Sequence, residues 1–289
     1  MPTTSSDIRQ SAEFASFMSD IGWQTLKLNG QNCYLKKIPL LGFFAKCPRP
    51  DSAKIKDDIN SLIREKNIFR FKISPFIRIN QQNYKSIRDN LLKKGFKIDR
   101  DPFNPTTSIT LDLKKSEEIL FAHMKEAKRR GVRRAIKNGI KVFISDDISA
   151  FIAIRKRQFN PMGFIVEKEM KMLWKNFYPG KATLLMATGN KKTLAGILLL
   201  FHKKYAYYWY ASSLNEGKKL FAPTMLVWEA IREAKKKNCE IFDFEGVYDD
   251  RFPKASENWR GFTKFKEGFS GRKVIYMENF FLKRPIIRL

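Results

Sequence analysis

Histidine and cysteine are nearly missing from this 289-residue chain, which has two of the first, His123 and His202, and three of the second, Cys33, Cys47 and Cys239. Two isolated histidines leave almost nothing for a Ser-His-Asp relay or a histidine metal site. Three cysteines without paired spacing argue against a disulfide framework and a zinc knuckle, and fit a reducing compartment. Long apolar runs are missing too: Leu194 to Phe201 is the longest, far below the roughly 20 residues that span a bilayer. The opening MPTTSSDIRQ has neither the basic start nor the apolar core of a signal peptide. The expectation is a cytoplasmic protein that at most touches the inner membrane surface. Acidic residues are the last shortage. Against 56 Lys and Arg stand 29 Asp and Glu, a net charge of +27, far beyond what solubility requires. That excess calls for a polyanionic partner (nucleic acid, nucleotide or anionic membrane), with an unusually charged but idle surface as the plain alternative.

What is present is enough for real cores, at 43% hydrophobic residues, and the length favours two domains over one. Trp23 to Leu28 and Cys33 to Ile38 read as a hairpin around Asn29-Gly30-Gln31-Asn32. Leu40 to Ala45 continues extended, and Pro48-Arg49-Pro50 breaks it. Asp51 can then cap a helix through Glu65 with Ile55, Ile59, Leu62 and Ile63 on one face. A strand over Ile68 to Ile73, a helix over Gln81 to Lys94 stopped by Gly95, and a strand over Ser108 to Leu113 complete a mixed α/β first half.

Ser116 caps the next helix, whose Glu117 and Glu118 suit the positive end of the dipole. Its continuation is strongly basic: Lys114 to Lys141 holds ten Lys or Arg against three Glu, with Lys128, Arg129, Arg130, Arg133, Arg134 and Lys137 nearly consecutive. A solvated helix face is the ordinary use of such a run. With so few acids to pair it, phosphate binding is the other reading. A helical stretch follows over residues 148 to 178, then three antiparallel strands at Thr183 to Thr188, Leu194 to Phe201 and Tyr205 to Ala211. Pro223 opens a helix with Met225, Leu226, Trp228, Ile231 and Ala234 inward. Ile241 to Phe244 makes a short strand carrying Asp243, and a loop rich in Lys, Arg and aromatics runs on to Phe269.

Helices, three meandering strands, a helix and a last strand is the element order of the acetyl-coenzyme A-dependent N-acetyltransferases. Those enzymes cradle the coenzyme pyrophosphate on a glycine-rich turn after the fourth strand. The corresponding segment here, Ser212 to Pro223, has one glycine, and its proline lacks an N–H. An acyltransferase reading therefore implies a donor other than coenzyme A; the enzyme expected overall is one without cofactor or metal.

Two further stretches carry a resemblance. Pro105-Thr106-Thr107-Ser108-Ile109-Thr110-Leu111-Asp112-Leu113 precedes the basic run Lys128 to Ile140. Phe242-Asp243-Phe244-Glu245-Gly246-Val247 precedes Gly261-Phe262-Thr263-Lys264-Phe265-Lys266-Glu267-Gly268-Phe269. In this order, over about residues 20 to 280, they resemble the Fem family (FemA, FemB, FemX) of peptidoglycan bridge transferases. That resemblance implies an α/β (α+β) chain of two tandem acetyltransferase-like (GNAT-like) domains, each a mixed, mainly antiparallel sheet flanked by helices. Residues 1–114 with 274–289 would form the first, and 115–273 the second. It implies an aminoacyltransferase that moves an amino acid from aminoacyl-tRNA to the stem-peptide amine of a UDP-MurNAc-pentapeptide or of lipid II. Both reactants are polyanions, which accounts for the charge.

By the family's Phe-Lys motif, Lys266 is expected near the developing oxyanion or the departing ribose oxygen, with Phe265 shaping the pocket. Asp243 either orients the incoming amine or holds a nearby loop or a buried cation, and Glu245 is equally ambiguous. Tyr207 and Tyr210 are read on one face of their strand, lining the peptide channel or packing in the sheet. Acceptor phosphates in the family meet basic groups from both domains, for which Lys36, Arg155 and Arg157 are read as counterparts here without a motif to anchor them, ordinary solvent-exposed cations being the other reading. No sustained heptads suggest a helical arm, which leaves Lys128, Arg129, Arg130, Arg133, Arg134 and Lys137 as the tRNA surface. The rival readings are a related transferase acting on protein N-termini or lipids, a basic RNA-binding protein without chemistry and, more distantly, a coenzyme A enzyme.

Overall fold

The computed structural model describes residues 7–51, 59–158 and 163–283. In chain order the first part holds α1 (Ala12–Asp20), β1 (Gln24–Leu28), β2 (Gln31–Ile38), β3 (Gly42–Pro48), α2 (Ile59–Glu65), β4 (Ile68–Ser74), α3 (Tyr84–Lys93) and β5 (Lys97–Ile98). There follow β6 (Thr107–Asp112), α4 (Glu117–His123), α5 (Glu126–Lys137), β7 (Lys141–Ser145), α6 (Ile148–Gln158), α7 (Gly163–Phe177), β8 (Ala182–Gly189), β9 (Lys192–His202) and β10 (Tyr205–Ser213). The chain closes with α8 (Asn215–Lys219), α9 (Ala222–Lys236), β11 (Ile241–Gly246), α10 (Pro253–Ser256), α11 (Arg260–Glu267), β12 (Arg272–Ile275) and β13 (Phe280–Lys283).

These elements form two compact units. One comprises the chain up to Thr107, Tyr248–Asn258 and the chain from Val274 on; the other comprises Ser108–Val247 and Trp259–Lys273. The first is built on a six-stranded sheet, β1-β2-β3-β4-β13-β5, parallel only between β3 and β4. Its β1–β2 turn is two residues long, with Asn29 and Gly30 both at positive φ (48° and 77°), the conformation those residue types favour. The expected N-terminal turns of the helix before Glu65 fall on residues outside the described ones. The α1 helix, which no sequence feature singled out, starts on Ser11, whose hydroxyl accepts from the Phe14 N–H at 3.1 Å.

The second unit is built on a seven-stranded sheet, β12-β6-β11-β10-β9-β8-β7. Of the strand pairs from β6 to β7, β10 and β11 run parallel and the rest antiparallel. From Leu194 to Phe201, β9 is buried at every side chain, as a strand covered on both sides must be. One face packs on α4, α5 and α9 through Ile197, Leu199, Leu226, Ile231 and Phe242.

Three expectations change. The division after residue 114 moves to 107/108, because β6 pairs with β11 (Ile241↔Asp112, Asp243↔Thr110) in the second sheet. Tyr248–Asn258, expected in the second domain, joins the first, where Asp249 accepts hydroxyl hydrogen bonds from Thr106 and Thr107 at 2.5 and 2.7 Å. The helix capped by Ser116 does not run on into the basic stretch. It stops at Met124, and extended backbone at Lys125 (φ −53°, ψ 142°) starts α5 as a separate helix.

Gly196 in β9 leaves no room for a side chain, since a Cβ there would lie 2.6 Å from the Phe151 ring and 2.7 Å from the Met186 sulfur. Gly196→Val should therefore destabilise by about 1–3 kcal/mol through overpacking, read as a lower urea midpoint with an unchanged m-value.

Candidate functional site

The parallel ladder between β10 and β11 is short, running from Tyr205↔Ile241 to Tyr207↔Asp243. Beyond it both strands deviate. β10 bulges at Trp209, so that Tyr208 faces Leu199 and Tyr210 faces Leu198. β11 loses register with β6 between Asp243 and Gly246, with Glu245 left-handed at φ 58°. The carboxyl ends of parallel strands are where open sheets of α and β elements seat ligands.

Lys266 comes into this place from α11. Only 7% of it is exposed, and its Nζ donates to the Gly246 carbonyl at 2.7 Å, with the Tyr208 and Phe262 rings 5.5 and 5.8 Å away. Burial pushes its ammonium down to about 8, while the Glu245 and Asp243 carboxylates pull the other way. Asp243, 4% exposed, accepts from the Glu245 N–H at 2.8 Å and from the Ser108 hydroxyl. The same hydroxyl lies 3.0 Å from the Glu245 carbonyl. Asp243 thereby props the left-handed residue, a conformation that costs a non-glycine about 1–3 kcal/mol, and that turn offers the Gly246 carbonyl to Lys266.

A lysine in this state is a compact donor with little water around it, suited to stabilising negative charge that develops on an oxygen. Phe265 packs edge-on against Phe269, with ring centroids 5.5 Å apart. Among the described residues no three His, Cys, Asp or Glu side chains gather as a metal site.

The other expected residues separate. Tyr207 and Tyr210 share a face, though not by simple alternation: residues three apart would oppose each other, and the bulge at Trp209 brings them together. Tyr207 is buried and stacked with Tyr205 at 5.8 Å. Tyr210 lies under the Arg155 guanidinium at 4.5 Å, which also reaches the Ala211 carbonyl and the Ser212 hydroxyl, both at 3.3 Å. Arg157, two residues on, is exposed. Lys36, in the first unit, donates to the Ile21 carbonyl at 3.3 Å and stands 5.7 Å from the Trp23 ring.

The basic run splits in two. Arg130, Arg133, Arg134 and Lys137 are exposed. Lys128 and Arg129, expected beside them, are half-buried, and Arg129 donates to the Ala122 carbonyl (2.8 Å) and the Met124 carbonyl at the end of α4. Ser108 and Tyr208 were not foreseen from the sequence. A Thr-Thr-Ser run entering a strand was a usable signal for the first, and nothing set Tyr208 apart from its neighbours.

Residues 175–284 match the sequence model of the FemAB family. The fold is similar to that of FemX, with a TM-score of 0.77 at 16% identity over 96% of this chain and 92% of that one. It is also similar to the C-terminal domain of an Agrobacterium fabrum protein assigned as a lysylphosphatidylglycerol synthetase (TM-score 0.60, 13% identity, 95% and 88% of the two chains). A tandem GNAT protein from the clavulanic acid biosynthesis pathway shares the architecture at a TM-score of 0.52 and 8% identity, over 87% of this chain and 82% of that one. No curated protein sequence matches.

Because its ammonium is held low when folded, Lys266 binds fewer protons in the native than in the unfolded state between about pH 8 and its ordinary value of 10.5, so stability must rise with pH across that window. The unfolding free energy of the wild type, measured against Lys266→Met, should move in the wild type's favour from pH 8 to 10. A difference flat with pH would show an ordinary, solvated lysine.

Proposed function

We propose that this chain is an aminoacyltransferase of the Fem type, which moves an amino acid from aminoacyl-tRNA to the stem-peptide amine of a peptidoglycan precursor, UDP-linked or lipid-linked. The observation that carries the reading is Lys266, desolvated at the end of the parallel ladder in an acetyltransferase-like unit. In the reaction the amine nitrogen attacks the ester carbonyl carbon. A C–N bond forms, the C–O bond to the terminal ribose breaks, and the amine proton ends on the ribose oxygen. Lys266 stabilises negative charge on the tetrahedral oxygen or on the departing ribose oxygen, and positioning of the two reactants supplies much of the remaining rate. Phe265 shapes the pocket beside it. Asp243 and Glu245 serve through the turn that orients Lys266.

The connection after β10 supports a donor other than coenzyme A. It is folded into α8, and Phe221 ahead of α9 is left-handed at φ 63°. The N–H groups of Lys218, Leu220, Phe221, Thr224 and Met225 are bonded to carbonyls within the segment, where a pyrophosphate would need them free. Arg130, Arg133, Arg134 and Lys137 are the surface for the donor's phosphates, and Arg155 is a candidate for the acceptor's. The likeness to a lysylphosphatidylglycerol synthetase domain favours one second reading, in which the acceptor is a lipid headgroup and the donor is unchanged.

Labelled aminoacyl-tRNA offered with the UDP-linked precursor, the lipid-linked precursor or phosphatidylglycerol vesicles separates these acceptors. Lys266→Ala should cut transfer on the order of a hundredfold with RNA affinity nearly unchanged; undiminished turnover would dismiss the assignment. Neutralising Arg130, Arg133, Arg134 and Lys137 together should lower the slope of log K against log salt by about 3, at roughly 0.7–0.9 for each phosphate left without its cation. An unaltered slope would put the RNA elsewhere. Salt-dependent RNA binding without transfer to any acceptor would mark a non-catalytic RNA-binding protein.

A further inference from the structure

Two sides of α5 face different tasks. Arg130, Arg133, Arg134 and Lys137 point to solvent, whereas Gly131, Val132 and Ala135 are buried, with Gly131 close against Phe221 and Thr224 at the start of α9. At its amino-terminal end α5 also grips α11. The Lys125 N–H donates to the Gly268 carbonyl at 2.9 Å. The Lys128 ammonium stands 3.7 Å from the centroid of the Phe265 ring and 5.5 Å from that of Phe269. Gly268 makes this approach possible, since a Cβ there would overlap the methylenes of Lys128. Among the described residues Lys128 has no carboxylate partner, so the two aromatic faces are what holds its charge. Burial pushes that charge towards neutrality, with the ammonium lowered to about 8.

We propose that Lys128 is a positioning residue that couples docking of a nucleic-acid backbone on the exposed side of α5 to the placement of Phe265 and Lys266 on α11. This rests on the tRNA-donor reading given above. Phe265 is the ring under Lys128 and the residue next to Lys266, so a shift of the lysine is felt one peptide bond from the reacting group. Polyanion binding a turn away adds negative potential at the Lys128 ammonium, and the contacts of that ammonium with the Phe265 and Phe269 rings pass any displacement of it on to α11. Coupling of this kind is reciprocal: ordering α11 must also tighten RNA binding.

Hydrogen exchange on the full chain with and without uncharged tRNA tests this. In the wild type, RNA should slow exchange in both α5 and α11. In Lys128→Met the protection of α5 should remain and that of α11 should fall by about fivefold or more. Lys128→Arg, which keeps a cation over the rings, should restore it, and Gly268→Ala, which displaces the lysine, should mimic the methionine variant. RNA that protects α5 alone in the wild type, or α11 equally in Lys128→Met, would overturn the coupling. In transfer assays Lys128→Met should lower kcat by about fivefold or more, with RNA affinity weakened by up to the same factor as reciprocity requires; equal kcat would contradict it. A wild type that transfers nothing yet shows RNA-dependent, Lys128-dependent protection of α11 would refute the enzyme reading and leave the coupling standing.

Discussion

A single ammonium group removed from water and seated on one backbone carbonyl sets the terms for the second unit. Leaving Lys266 buried costs free energy, and the bond to Gly246 offsets part of that cost only if the carbonyl is held in the right direction. The turn at Glu245 does this, Asp243 supports the turn, and Ser108 supports Asp243. Ser108 belongs to β6, a strand that reaches this sheet straight after the first unit's part of the chain, while β13 returns from the other end to complete the first sheet. Three hydrogen-bonded steps thus tie β6 to the lysine.

The cationic excess is distributed unevenly. Some of it never reaches a partner molecule: Arg129 closes the end of α4, Arg232 pairs with Glu117 and Glu229, and Lys128 is committed to two phenylalanines. What remains on α5 is a row of four exposed cations, of which Arg130 is within 3.5 Å of Glu126, over a helix whose inner side touches α9 and α11. Along this one helix the charge is therefore divided by residue, exposed cations on the outer side and a lysine packed on the α11 aromatics on the inner.

Much of this was legible in the sequence, and the reasons are local. Breakers and an unbroken aromatic run delimit β10, and three-and-four spacing ahead of Lys235, Lys236 and Lys237 delimits α9. Ser116 and its two glutamates mark the start of α4. The misreadings come from long-range pairing. Lys141–Ser145 has exposed Phe143 and Ile144 and reads as a strand only once β8 is beside it. Ser108 to Asp112 reads as a strand in either half, and only its partner β11 decides which sheet it joins. Arg260–Glu267 looks like a basic loop because Arg260, Lys264 and Lys266 interrupt its aromatics. On a helix, though, Phe262, Phe265, Lys266 and Phe269 form one stripe, and the lysine among them turns inward. Tyr207 and Tyr210 share a face only because Trp209 is bulged, which no alternation rule conveys. The seat of Lys128 depends on Phe265, more than a hundred residues away.

The claim on which the account stands is that Lys266 is a desolvated ammonium, and NMR can read it directly. Titration of the side-chain methylene resonances next to Nζ in isotopically labelled lysine, assigned by their loss in Lys266→Arg, should place Lys266 near pH 8, a midpoint it shares with the buried Lys128, while the solvent-exposed ones titrate near their ordinary value. A midpoint for Lys266 at about 10.5 would contradict the account.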